Sequence, residues 1–130
     1  MAETQAAPTA GTFCWNELMT ADVEKVKAFY TKLLGWTTRE MDMGPNGTYT
    51  VWVNQGKDVG GCMKIGPEMD NVPPHWMSYI AVPDVDASVR TASNLGGKLI
   101  VPPTDIPNVG RFAILGDPGG AAISIITFQS

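Results

Sequence analysis

The most chemically suggestive position in this chain is Glu17, a carboxylate beside Asn16 inside the mostly apolar run of residues 13–19. An acid on an inward strand position loses solvation and gains proton affinity, which makes it a candidate general base. Tyr79 is the candidate donor to work with it. The structural alternative is a carboxylate at a rim or paired with lysine or arginine, and it stays open. The chain holds one histidine, His75, beside Pro73 and Pro74. A two-histidine, one-carboxylate iron site therefore cannot form within a single subunit. His75 reads as a strand-end side chain. Cys14 and Cys62 each lie in apolar runs with no histidine near them in sequence and no helix opening on either, so they read as small buried hydrophobes.

These residues are carried by a pattern that occurs twice. Residues 13–19 read as a strand, Thr20 or Asp22 as a cap, and Val23, Val26, Phe29, Tyr30, Leu33 and Leu34 as the apolar stripe of a helix ending at Gly35. Two strands, 36–43 and 48–54, follow across the turn 44–47. A further strand, 59–65, carries Gly60-Gly61, which marks a close backbone approach or a bulge. After a proline-rich connector at 66–74, residues 76–82 repeat the strand and Asp84 the cap. Val85, Val89, Ala92 and Leu95 then form the second stripe, and 98–101, 110–115 and 121–128 read as strands. The segment 102–109 reads as a stiff loop, either covering a binding mouth or protecting an edge. Asp22-Val23 and Asp84-Val85 superpose at an offset of 62 residues, close to half of the 130-residue chain. The expected organisation is a disordered tail (1–12), a βαβββ module (13–65), the connector (66–74) and a second βαβββ module (75–130).

Composition narrows the function classes. A chain that is 44% hydrophobic has enough apolar surface for a full core. Its 9 basic and 13 acidic side chains leave a net charge of −4 with the cations scattered, so nucleic-acid binding is not expected. The first twelve residues lack both a basic start and an apolar core, and nothing later is long enough to span a bilayer, so neither a signal peptide nor a membrane partner is expected. Two cysteines without a bridging pattern suit a reduced, cytoplasmic protein.

Two βαβββ units resemble the vicinal oxygen chelate superfamily, that of glyoxalase I, the bleomycin-resistance proteins and the extradiol dioxygenases. The resemblance is carried by Leu18-Met19-Thr20-Ala21-Asp22, Phe29-Tyr30 with Leu34-Gly35-Trp36, Val82-Pro83-Asp84-Val85-Asp86, and Asp117-Pro118-Gly119-Gly120. It implies an α+β fold in which each module curls into an open cup, with helices outside and a cavity between paired cups. It also implies a homodimer and, in the family's enzymes, one divalent metal held by the first and last strands of each half. Carried over residue by residue, three of those metal positions fall on Trp15, Met77 and Ser124. The second falls within 62–65 with its register open, Cys62 being the one plausible donor there. Tryptophan, methionine and serine offer a hard or borderline metal nothing to bind, so no metal cofactor is expected.

Strand alternation then places Trp15, Glu17 and Met19, Met77 and Tyr79, and Ser124 inward, with Leu18, Ile80, Val82, Ile123 and Ile125 toward the helices. Trp52, Cys62 and His75 complete the expected ligand lining. Three readings follow: a metal-free protein binding an apolar or aromatic small molecule, a metal-free isomerase or lyase using Glu17 and Tyr79, and a metal-dependent lyase with a displaced site built on Glu17 and His75. The first asks least of the sequence.

Overall fold

The computed structural model describes residues 8–66 and 72–129. Part of the connector expected at 66–74, and the first seven residues of the expected tail, lie outside that range. The chain divides into two compact units, residues 15–77 and residues up to Cys14 together with 78–130.

The first half runs β1 (Phe13–Thr20), α1 (Val23–Leu34), β2 (Thr37–Asp42), β3 (Thr48–Asn54) and β4 (Lys57–Lys64), with a short 3-10 turn at Gly44–Asn46. Asp22 starts α1 by accepting the Lys25 N–H at 3.1 Å, and Gly35 ends it in the left-handed region at φ 73°. The strands are ordered β2-β3-β4-β1, with β1 parallel to β4 and the other pairs antiparallel. Leu18 pairs with Cys62 and Cys62 with Thr50, so these residues share one face with Trp52, two positions along β3. That face packs under α1, where Leu18, Trp52 and Cys62 meet Val23, Val26, Tyr30 and Trp36. Tyr30 is the hub, with ring centroids 6.0 Å from Trp36, 5.4 Å from Trp52 and 5.5 Å from Trp76. The stripe of α1 is narrower than expected: Phe29 and Leu33 are 57% and 61% exposed.

The second half repeats the plan with β5 (His75–Ala81), α2 (Val85–Asn94), β6 (Lys98–Ile106), β7 (Gly110–Gly116) and β8 (Ala122–Phe128), ordered β5-β8-β7-β6. Asp84 caps α2 through the Ala87 N–H at 3.2 Å. Val85, Ala113, Leu115 and Ile125 form its core, with Val82, Val89, Ala92 and Ile123 packed around them. Leu95, expected in the buried stripe, is the C-cap and is 72% exposed. Of the expected tail, Gly11 and Thr12 are tied down by backbone bonds of 2.8 and 2.9 Å to Ala81.

The expected loop 102–109 is instead mostly strand. β6 runs on to Ile106, and only residues 107–109 turn, Asn108 taking φ 66°. Pro102-Pro103 is tolerated because β6 is the outermost strand of its half and its pairing with β7 shifts register on the way past. Arg111 on β7 clasps the hairpin, holding both carboxylate oxygens of Asp86 on α2 (2.9 and 3.1 Å) and Asp105 on β6 (2.9 Å).

Candidate functional site

On the face of the first half opposite α1, β1 presents Glu17, β4 presents Gly61 beside it, and β3 presents Val51 in register with Gly61 and Tyr49 two residues earlier. Glu17 is only 5% exposed. Trp15, two residues before it on the same face, donates its indole N–H to the Tyr49 hydroxyl at 2.9 Å, and that hydroxyl donates to Glu17 Oε1 at 3.5 Å. The second bond is long beside the roughly 2.5–3.0 Å usual for a hydroxyl donor. Burial first, and the charge of Glu17 second, push the Tyr49 phenol well above its ordinary range; the Trp15 bond only partly opposes them. Tyr49 is a neutral hydroxyl throughout the physiological range.

Gly61 is what makes room for Tyr49. A Cβ on Gly61 would collide with the Tyr49 hydroxyl and ring. The close approach expected at Gly60-Gly61 is thus a side-chain approach from β3. Tyr49 itself was missed by sequence reasoning. The available signal was its spacing: it precedes Trp52 by three residues, the opposite parity to a side chain under the helix.

Cys62 and Trp52 are corrections to the expected lining. Both are fully buried among the α1 side chains, and the Trp52 indole N–H is spent on the Gly61 carbonyl at 3.0 Å. Parity explains the difference, since Cys62 pairs with Leu18 and not with Glu17. Desolvation, aided by the Glu17 charge, pushes the Cys62 thiol up to about 11. Burial likewise raises Cys14, whose thiol donates to the Tyr79 carbonyl at 3.6 Å.

In the second half, Tyr79 and Ser124 pair in register on the face opposite α2, and Tyr79 lies with its ring centroid 6.3 Å from that of Phe112. Ser124 is fully buried, and its hydroxyl has no hydrogen-bond partner among the described residues. Met77 is buried, Met19 half-buried, and His75 bonds through Nδ1 to the Pro73 carbonyl at 2.8 Å.

The strand pairing corrects the second of the expected positions, moving it out of 62–65 to the residue before. Tyr79 pairs with Ser124 as Glu17 pairs with Gly61, so the equivalent of Ser124 in the first half is Gly61, which has no side chain to offer. The four positions that the family resemblance assigns to a metal are therefore Trp15, Gly61, Met77 and Ser124. Trp15 is a donor already engaged, and the Tyr49 hydroxyl fills the space above Gly61. This donor set does not fit a divalent cation, and no group of three or more His, Cys, Asp or Glu able to hold one occurs among the described residues.

With eight strands and two α-helices in a repeated βαβββ order among the described residues, the chain belongs to the Glyoxalase/Bleomycin resistance protein/Dioxygenase superfamily, whose family model matches residues 12–125. It is 44% identical over 116 residues to the protein named "Putative glyoxylase CFP32" of Mycobacterium tuberculosis, a match covering 89% of this chain and 44% of that protein. It is 33% identical over 134 residues to the anthracycline biosynthesis protein DnrV of Streptomyces peucetius, covering 94% and 48%. The chain thus spans just under half the length of the curated relatives it matches. Among solved structures, the methylmalonyl-CoA epimerase of Mycobacterium tuberculosis aligns with a TM-score of 0.65 at 17% identity, covering 98% of this chain and 95% of that one. The hypothetical protein BH1468 of Bacillus halodurans aligns at 0.71 with 11% identity, covering 94% and 97%. At such identities these two likenesses establish the fold alone. No helix among the described residues is long and apolar enough to cross a membrane.

Proposed function

We propose that this chain binds an apolar or aromatic small molecule without a metal, on the face of the first half that carries Glu17. The observation that carries this reading is the Trp15–Tyr49–Glu17 chain of hydrogen bonds. A buried carboxylate that accepts from Tyr49, itself held by the Trp15 indole, with Val51 and Met19 on the same face, is the mixture of few polar groups in an apolar lining that suits such ligands. The name of one relative, for anthracycline biosynthesis, supports an aromatic ligand. In the same reading the protein works in the cytoplasm as a homodimer.

A second reading has a specific observation in its favour. Glu17 lies beside a phenol held neutral, the pairing that an acid/base isomerase or lyase would need. A thermal-shift panel of aromatic metabolites, with and without divalent cations, tests both. Stabilisation by an aromatic compound that is independent of cations and lost in Glu17→Gln is the expected result. Turnover of that compound, abolished in Glu17→Gln, moves the conclusion to the enzyme. Near-stoichiometric zinc, nickel, iron or manganese in tag-free protein overturns the metal-free reading, and a mass in light scattering equal to the single 13.9 kDa chain overturns the dimer.

A further inference from the structure

Three separate features converge on the hydroxyl of Tyr49. The Trp15 indole nitrogen has a proton to give and nothing with which to accept, and it gives that proton to the phenol oxygen at 2.9 Å. The phenol's one proton is thereby directed at Glu17 Oε1, 3.5 Å away. Gly61, the strand neighbour of Glu17, leaves open the space that the hydroxyl and ring occupy. The donors run from indole to phenol to carboxyl oxygen, so neither the indole N–H nor the phenol O–H is left over for a ligand.

That direction limits what the site can recognise. Both donors of the cluster are spent inside it, whereas a carboxyl oxygen can accept more than one bond. We propose that Tyr49 is the positioning residue of this site: backed by Trp15 and admitted by Gly61, it holds Glu17 as a hydrogen-bond acceptor, so that the ligand selected presents an O–H or N–H group rather than a bare carbonyl or ether oxygen. The ligand half of this inference rests on the small-molecule reading above. The Glu17 charge raises both the Tyr49 phenol on β3 and the Cys62 thiol on β4. Arg39 on β2 and Asp58 on β4 lie on the same sheet face and are paired with each other at 2.6 Å.

Two measurements on the full chain test it. The first is a carbon-13 titration of the Glu17 side-chain carboxyl in the parent, in Tyr49→Phe, and in Tyr30→Phe as a control on the helix-facing side. Removing a donor to the charged form disfavours that form, so the Tyr49→Phe midpoint is expected to rise by about one unit while the control stays with the parent. An unchanged midpoint in Tyr49→Phe overturns the positioning role. Should that variant fail to fold, Gly61→Ala, which displaces the ring, reads the same quantity, with the same two outcomes. The second measurement compares phenol with anisole, its methyl ether, by amide shifts on β1 and β4. Phenol is expected to bind at least roughly fivefold more tightly, the worth of one hydrogen bond. Equal binding of the two overturns the donor selection. If neither probe binds while the Glu17 midpoint moves, the small-molecule reading fails and the role of Tyr49 toward Glu17 stands.

Discussion

A hydroxyl sealed from water and left without a partner costs stability, and among the described residues Ser124 is in that condition. Its neighbours in register are Tyr79 on β5 and Ile114 on β7, neither of which bonds to its hydroxyl. Ser124→Ala removes the penalty while opening only an oxygen-sized gap, so it is expected to stabilise the chain by about 1 kcal/mol. Reversible denaturant melts of the two proteins read this directly, and a variant no more stable than its parent would mean the hydroxyl is satisfied in solution. At this scale the sequence was partly legible. Which of Trp15, Glu17, Leu18 and Met19 share a face follows from the alternation of a single strand, which needs no knowledge of neighbours. Cys62 and Trp52 were misplaced because their faces depend on pairing between strands. Tyr49 was missed for a related reason: its partners Trp15 and Glu17 lie more than thirty residues away.

Among the elements, the helices were the most legible, because their signals are local. Asp22 and Gly35 bracket α1, and the stripe of Val23, Val26 and Tyr30 lies between them. β6 was the least legible. Prolines at 102 and 103 argue against a strand unless that strand is outermost and bulged, and both conditions are set by the topology of the second half. The Arg111 clasp then does for this hairpin what regular pairing does elsewhere. It holds the Asp86 carboxyl below its ordinary value of 3.8, chiefly through the direct hydrogen bond. A carboxyl lowered by folding contributes stability that is present above the unfolded value and is lost as pH falls through the folded one. Replacing Arg111 with Gln is therefore expected to speed amide exchange in the 105–111 hairpin at neutral pH, with little change in the global melt because the clasp is exposed. The difference from the parent should narrow once pH drops below 3.8, where Asp86 begins to lose its charge. A difference that persists undiminished in acid would assign the effect to lost packing of the arginine stem.

At the scale of the whole chain, the two halves are one device built twice with different contents. Glu17–Gly61 and Tyr79–Ser124 are equivalent strand pairs, and the second is one residue longer in sequence separation, so the offset of 62 that holds through the first strand and the cap becomes 63 by the last strand. That single added residue is why the repeat revealed the fold yet left the fourth strand's register open. The repeat is most faithful at the caps: Asp22 and Asp84 each sit in extended backbone and each accept the N–H three residues on, at 3.1 and 3.2 Å. If these are the same device, they carry the same stability. Asp22→Ala and Asp84→Ala are each expected to cost about 1 kcal/mol. The two caps share no hydrogen-bond partner, so the double variant is expected to lose about 2 kcal/mol, the sum of the singles within roughly 0.5 kcal/mol. Urea unfolding of the four proteins measures all three differences. Were one cap silent while the other cost its full share, the halves would differ in how far their helices depend on local signals, and α1, which has no fully buried side chain where α2 has Val85, would be the half expected to feel the loss.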